Sequence, residues 1–322
     1  MTLAARQFIT VARLTAVEAI RQPLTFLLFT TALGLVALLP MVLSHTLGES
    51  DRFVRDGSLA FMLLAGLILG AHIACSALSA EIRRGTVSAV LSKPIQRTVF
   101  FLSKFAGIAM VMCLFSAGIL MAILVSVRTA IDPYFIDPWA AVPLWMAICL
   151  AFVLGALINF LFRRPFISNA FISLLLLLTA AFIFTGMVDQ EGQAIGFGEL
   201  YDFRILHAGG LIILAILVLS AISVSLATRF STVPTLSICG AVFLMGLLSD
   251  YAFGRFAADS LFHRVMYYII PNWQHFWVAD AFAVDVSIPI AYTLTAAAYA
   301  LLYLSGVMVL GMTAFQRMEV KA

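Results

Sequence analysis

The chain has 322 residues, 63% of them hydrophobic and only 11% charged, with a net charge of +3 and a mean hydropathy of +1.08. A water-soluble domain keeps about a quarter of its residues charged, so this composition excludes a soluble globular protein. It also gives no basis for nucleic-acid binding, because the 19 Lys and Arg residues are dispersed along the chain rather than gathered in a patch.

Runs without acid, Lys or Arg, such as Leu24 to Leu43, Leu59 to Ser79 and Leu211 to Ala227, approach the ~20 residues that carry a helix across a bilayer. In lipid every backbone group must be satisfied internally, and continuous apolarity, rather than alternation over about ten residues, selects helices. The predicted fold class is all-α: a polytopic transmembrane helical bundle forming one domain over 1–322. Eight spans are expected near 24–43, 58–79, 99–127, 139–162, 166–187, 207–228, 232–250 and 289–314.

Residues 1–23 precede the first span. Phe8, Val11, Ala12, Thr15 and Ala19 fall on one face of a helix there, with Arg6, Arg13 and Arg21 largely elsewhere. This predicts an amphipathic helix lying on the inner leaflet, its Arg residues near anionic headgroups. The first apolar run is about 20 residues, longer than the ~7–15 of a cleaved signal's core, so it is expected to remain as a span.

After the second span, residues 80–98 read Glu81-Ile-Arg-Arg84-Gly85-Thr86, then Leu91-Ser92-Lys-Pro94-Ile95-Gln-Arg97, with Lys104 and Gly107 following. Gly85 permits a change of direction. Ser92 suits a helix cap and Pro94 a first turn. Val87, Val90, Leu91 and Ile95 among polar residues give a short amphipathic element parallel to the membrane, suited to docking another protein.

Farther on, Arg163-Arg164-Pro165 marks a tight turn, and Arg229, Ser231 and Pro234 mark another. Residues 251–288 form the longest connection. Tyr267, Tyr268, Ile269, Ile270, Trp273, Phe276 and Trp277 make it aromatic and amphipathic, which predicts short helices at the headgroup level, broken at Pro271-Asn272. Asp285 or Ser287 is expected to cap the last span, which begins near Pro289.

Charge sets the orientation. With the N-terminus in the cytoplasm, 13 of the 19 basic residues and only three of the 16 acids fall on the cytoplasmic side. That is the expected bias for an even number of spans in a cytoplasmic (inner) membrane, both termini cytoplasmic. Cys75, Cys113, Cys149 and Cys239 all lie in apolar runs and read as small hydrophobes.

The pattern E-x-x-x-G-T, L-S-x-P-I-x-R, K-x-x-G after the second span resembles the signature of type-2 ABC transporter permeases, the export-type superfamily. The basic N-terminal helix and the aromatic segment before the last span also resemble that family's layout. The resemblance implies that residues 80–98 form a coupling helix fitting a groove on the ATP-hydrolysing subunit. The matching positions are Glu81, Gly85, Thr86, Leu91, Pro94 and Arg97, with Arg84 beside them. It further implies a P-loop ATPase partner, a second permease copy or paralogue, and export as the direction. Family members most often have six spans, so eight here imply an additional hairpin between the third span and the last.

No G-x-x-x-x-G-K-[ST] occurs, so ATP and Mg would be held by the partner; no cofactor, metal or catalytic residue is expected on this chain. His45, His72, His207, His263 and His275 are scattered without H-E-x-x-H, and Leu304-Ser305-Gly306 is only a partial nucleophile pattern. Asp189, Glu191, Glu199 and Asp202 share one outer loop, which reads as a solvated charged loop. The alternative function is an ion-coupled secondary transporter, for which His72 within the second span, with Asn159 and Asn169, are the polar candidates.

Overall fold

Apolar helices of 20 residues and more dominate the computed structural model, which describes residues 3–43, 49–83, 95–132, 135–278 and 289–317. No strand occurs among these residues. In chain order come α1 (Leu3–Ile20), α2 (Pro23–Val42), α3 (Ser50–Ala74), α4 (Arg97–Thr129) and α5 (Pro138–Phe162). They are followed by α6 (Phe166–Gly186), α7 (Arg204–Ala227), α8 (Thr232–Leu247), α9 (Leu261–Ile269) and α10 (Ile290–Gln316). Beyond α3, a π-helical turn (Cys75–Ser79) and a last turn (Ala80–Arg83) extend that helix.

Seven of these helices are long and apolar enough to cross a membrane: α2, α3 with its extension, α4, α5, α6, α7 and α10. The chain is a multi-pass membrane protein. The expected span over 232–250 departs from a straight helix: α8 has 16 residues, ~24 Å at 1.5 Å per residue, and a 68° bend separates it from residues 249–256. Counting that bent pair as one span gives eight. The bend adjoins Gly246, where any Cβ would run into the Pro271 carbonyl oxygen and the Trp273 ring.

The chain forms two compact units, one of residues 1–19, 67–112 and 210–322, the other of residues 20–66 and 113–209. In the second unit, Phe29 is fully buried, with ring centroids of Phe115 and Phe171 at 5.5 and 5.3 Å. The α5–α6 hairpin turns at Arg163, whose φ of 53° is left-handed. Asn159 Nδ2 donates to the Arg164 carbonyl and Asn169 Nδ2 to the Pro165 carbonyl, both at 2.6 Å, closing the turn that Arg163-Arg164-Pro165 predicts.

At the opposite ends of these helices, Arg128 donates to Asp137 through Nε and Nη2 at 3.1 and 3.0 Å, both side chains completely buried. Asp137 also caps α5 by accepting from Trp139 N at 2.8 Å. The nearby Tyr201 ring stacks on Phe182 with centroids 4.9 Å apart, and its hydroxyl bonds Thr185 and donates to the Phe182 carbonyl. Burial pushes the Tyr201 hydroxyl up to about 12, against the smaller opposing effect of its Thr185 bond.

In the first unit, the segment 251–278 differs in part from a headgroup-level element. Tyr268 and Ile269 are exposed, but Trp273 and Phe276 are 1% and 2% exposed and belong to the protein core. Trp273 Nε1 donates to the Val242 carbonyl of α8. Asn272 bonds Asp250 through Nδ2, and its backbone N–H donates to the Tyr299 hydroxyl of α10 at 3.0 Å. The chain does break at Pro271-Asn272, between α9 and the 3₁₀ turn Trp273–Phe276. Asp285 and Ser287 lie outside the described residues, and α10 begins just after Pro289.

Candidate functional site

Glu81, Arg97, Lys104 and Gly107 belong to the first unit, where the α3 extension meets α4. Of the residues expected to couple, Glu81 and Arg97 are described; Arg84, Gly85, Thr86, Leu91 and Pro94 lie outside the described residues.

Glu81 meets Lys104. The Lys104 Nζ donates to Glu81 Oε1 at 2.6 Å; the lysine side chain is 3% exposed and the carboxylate 26%. A lysine held this far from water requires a charged partner. The Phe100 ring, one turn earlier on α4, lies 5.5 Å from the same ammonium and adds the attraction of its face. The π-helical turn bears on this register. In it the Ala80 N–H reaches the Cys75 carbonyl, so one extra residue enters the turn. Such an insertion rotates everything after it by about 100° relative to an unbroken α-helix. Glu81 is the second residue beyond the turn, and it faces α4.

Gly107 lies one helical turn beyond Lys104. A Cβ there would strike the Ala12 carbonyl oxygen and come within 2.8 Å of Thr15 Cβ. The glycine therefore lets α1 press its backbone against α4. α1 does so with the face read from the sequence: Thr15, Ala16 and Ala19 are buried, Phe8, Val11 and Ala12 half-buried, and Arg6 and Arg13 exposed.

The start of α4 is also fastened to the end of α10. Arg97 Nη1 donates to the Gln316 carbonyl at 2.9 Å, and Gln316 Nε2 donates to Thr98 Oγ1 at 3.1 Å. Phe315 is 1% exposed and stacks on Phe100 and Phe101, with centroids 5.9 and 5.8 Å away. Arg229, at the end of α7, reaches the Ala314 carbonyl at 3.4 Å. Two expected coupling residues, Glu81 and Arg97, thus sit at the two helix ends that bracket residues 84–94, and each is tied to α4 or α10.

The other candidates are not brought together. Asn159 and Asn169 are committed to the hairpin turn. Ser305 Oγ donates to the Leu301 carbonyl on its own helix at 2.7 Å and is exposed. Asp189 accepts from the backbone of Glu191 and Gln193, Glu199 from Gly196 N, and Asp202 pairs with Arg204, so these acids shape their own loop. Among the described residues no group of three or more His, Cys, Asp or Glu is placed to hold a metal. Neither do the described residues offer a disulfide: all four cysteines are free, Cys75 and Cys239 buried, Cys113 and Cys149 exposed. The His72 Nε2 has no hydrogen-bond partner among the described residues.

Sequence reasoning had no means of pairing Glu81 with Lys104, since 23 residues and a change of helix separate them. The usable signal was physical: a lone Lys inside the apolar start of a helix must find an acid. The same reasoning applied to Arg128 would have led to Asp137. Comparison of the chain with protein-family models, with curated proteins and with solved structures gives no match.

Proposed function

We propose that this chain is the membrane-spanning permease subunit of an ATP-driven transporter of the type-2 ABC class, an exporter working with a separate P-loop ATPase and a second permease copy or paralogue. The supporting observation is the Glu81–Lys104 pair. It joins the acid of E-x-x-x-G-T to the lysine of K-x-x-G, two parts of one motif that composition alone would leave as unrelated charges.

The reading gives that joint a task. Closure of the ATPase displaces residues 84–94, which carry Gly85, Thr86, Leu91 and Pro94. The displacement enters α4 at both ends of the segment, through the Glu81–Lys104 pair and through Arg97. From α4 it reaches α1 at Gly107 and α10 at Phe315 and Gln316. A half-buried ion pair of good geometry is stiff, because breaking it strands a lysine away from water. In this reading the termini are cytoplasmic, the membrane is the inner membrane, and ATP and Mg stay on the partner while this chain makes and breaks no covalent bond.

The test is affinity purification of the tagged chain in mild detergent, followed by mass spectrometry. Recovery of a P-loop ATPase with the wild type, and its loss in Leu91→Asp and Gly85→Pro variants that still insert, is the expected result. An ATPase recovered equally with both variants removes the coupling assignment. Ion-coupled transport is the second reading, favoured by the unpartnered His72 Nε2 in the second span. A chain that purifies alone and catalyses ion-dependent uptake in liposomes, lost in His72→Phe, establishes it instead.

A further inference from the structure

A continuous apolar groove runs along the α5–α6 hairpin. Two open depressions of about 430 and 290 Å³ share Pro143, Met146 and Phe184, so they adjoin along one groove. One wall is a ridge of large residues on α5, Trp139, Val142, Met146 and Leu150, which recur at helical spacing. The other wall is Leu177 and Phe184 of α6, and the floor is small: Ala147, Ala180 and Ala181 beside Pro143.

Length, lining and surroundings each limit what fits. From Trp139 to Leu150 the groove follows eleven residues, about 16 Å of helix. That is the depth of one leaflet's hydrocarbon, about half of ~30 Å. The lining carries no charged side chain, and only a third of the apolar stretch of α5 or of α6 is covered by protein. The shallow end carries Trp139, the residue type that settles at the headgroup level. Trp139 is held in place: Gly192, at a φ of +85°, lies against its ring so closely that a Cβ would come within 2.7 Å. The groove mouth therefore adjoins the loop 187–203, where the exposed Glu191 precedes Gly192 and the Asp189 carbonyl accepts from the Gly192 N–H at 3.4 Å, which sets both acids beside Trp139.

We propose that this groove is a binding site for one acyl chain of a phospholipid in the leaflet bordering residues 187–203, with preference for a headgroup bearing a primary amine. The chain lies between the Met146–Leu150 ridge and Phe184, and the amine meets the acidic rim at Asp189 and Glu191. An anionic headgroup at the same rim is repelled. The site does not depend on the transport reading, since it needs only the hairpin and the bilayer.

The test reconstitutes the full chain in liposomes with a trace of phosphatidylethanolamine carrying a photoactivatable diazirine in mid-chain, and maps adducts by mass spectrometry. Phosphatidylglycerol with the same chain serves as the comparison. Adducts from the ethanolamine lipid are expected to concentrate on the peptides carrying Met146 and Leu150, several-fold above the exposed Leu301 and Leu302 of α10. Ala180→Phe, a change at an exposed floor position, fills the groove. It is expected to cut the α5 adducts several-fold and leave those on α10 unchanged, which also reports that the variant is folded. Adducts spread evenly over α5 and α10, or insensitive to Ala180→Phe, overturn the site. Equal labelling by the two lipids overturns the headgroup preference. Absent α5 adducts together with disulfide formation between copies carrying Met146→Cys assign the groove to a second copy of the chain and overturn the proposal.

Discussion

The Ser126 hydroxyl lies 2.6 Å from the carbonyl oxygen of Val36, the residue four before Pro40 in α2. In an unbroken helix that carbonyl would accept from the N–H at position 40, which proline lacks. Both groups are buried, and in hydrocarbon an unpaired carbonyl is costly. A serine on α4 thus supplies the donor that a proline on α2 removes.

Ser126→Ala is expected to destabilise the protein by about 1 kcal/mol, within the ~0.6–2 kcal/mol of interhelical bonds in membranes. Pro40→Ala restores the intrahelical donor, so adding it to Ser126→Ala should recover most of the loss. Denaturation midpoints of the four proteins in mixed detergent test this. Equal costs for Ser126→Ala with and without Pro40 would refute the link.

The Glu81–Lys104 pair is asymmetric in exposure, and its variants should be too. Glu81→Gln leaves a 3% exposed ammonium without its carboxylate, whereas Lys104→Met leaves a carboxylate that reaches water. Removing one partner of a buried pair costs roughly 3–5 kcal/mol. Glu81→Gln should approach that range and Lys104→Met fall well below it, with the double variant milder than Glu81→Gln alone. Thermal unfolding monitored by fluorescence gives the order.

Gly107 marks a contact of two backbones, so substitution there should act in proportion to side-chain size. Gly107→Leu is expected to lift α1 from α4 and raise amide hydrogen exchange over residues 8–19 by orders of magnitude, with Gly107→Ala intermediate. Unchanged exchange in both variants would show that α1 does not depend on this crossing.

Tyr201 predicts a window of alkaline sensitivity. Its hydroxyl is shifted from the ordinary 10.0 up to about 12, chiefly by burial. A raised pKa in the folded state means that the proton is bound more tightly there. The associated stability is complete below about pH 10 and is lost as pH rises from there to about 12. Tyr201→Phe should remove this part of the alkaline transition while lowering stability at neutral pH through the lost bonds to Phe182 and Thr185. Midpoints at a series of pH values check both signs.

Features governed by local chemistry were legible before any coordinates. Apolar runs gave the spans, the periodicity of Phe8 to Ala19 gave the buried face of α1, Arg163-Arg164-Pro165 gave a tight turn and Pro271-Asn272 a helix break. What stayed hidden was set by partners distant in the chain. Trp273 and Phe276 have the composition of interfacial residues, yet α8 and α10 enclose them. The 68° bend after α8 lies beside the close approach of Pro271 to Gly246, and no proline at the bend announces it. Of the candidate site, the residue types of Glu81, Arg97, Lys104 and Gly107 were readable. That a π-helical turn should aim Glu81 at Lys104 was not, since nothing in Cys75–Ser79 excludes an ordinary α-turn.

The tie between Arg97 and Gln316 has a consequence for biosynthesis. The two residues are 219 positions apart, and the aromatic stack at Phe315 is nearly as remote. At about 5–20 residues per second, a translating ribosome takes roughly 10–45 s to supply the second half of the joint after the first has emerged. Throughout that interval the amino end of α4 sits in the nascent protein without its final fastening. Among the described residues, that end is therefore one of the last corners of its unit to be closed.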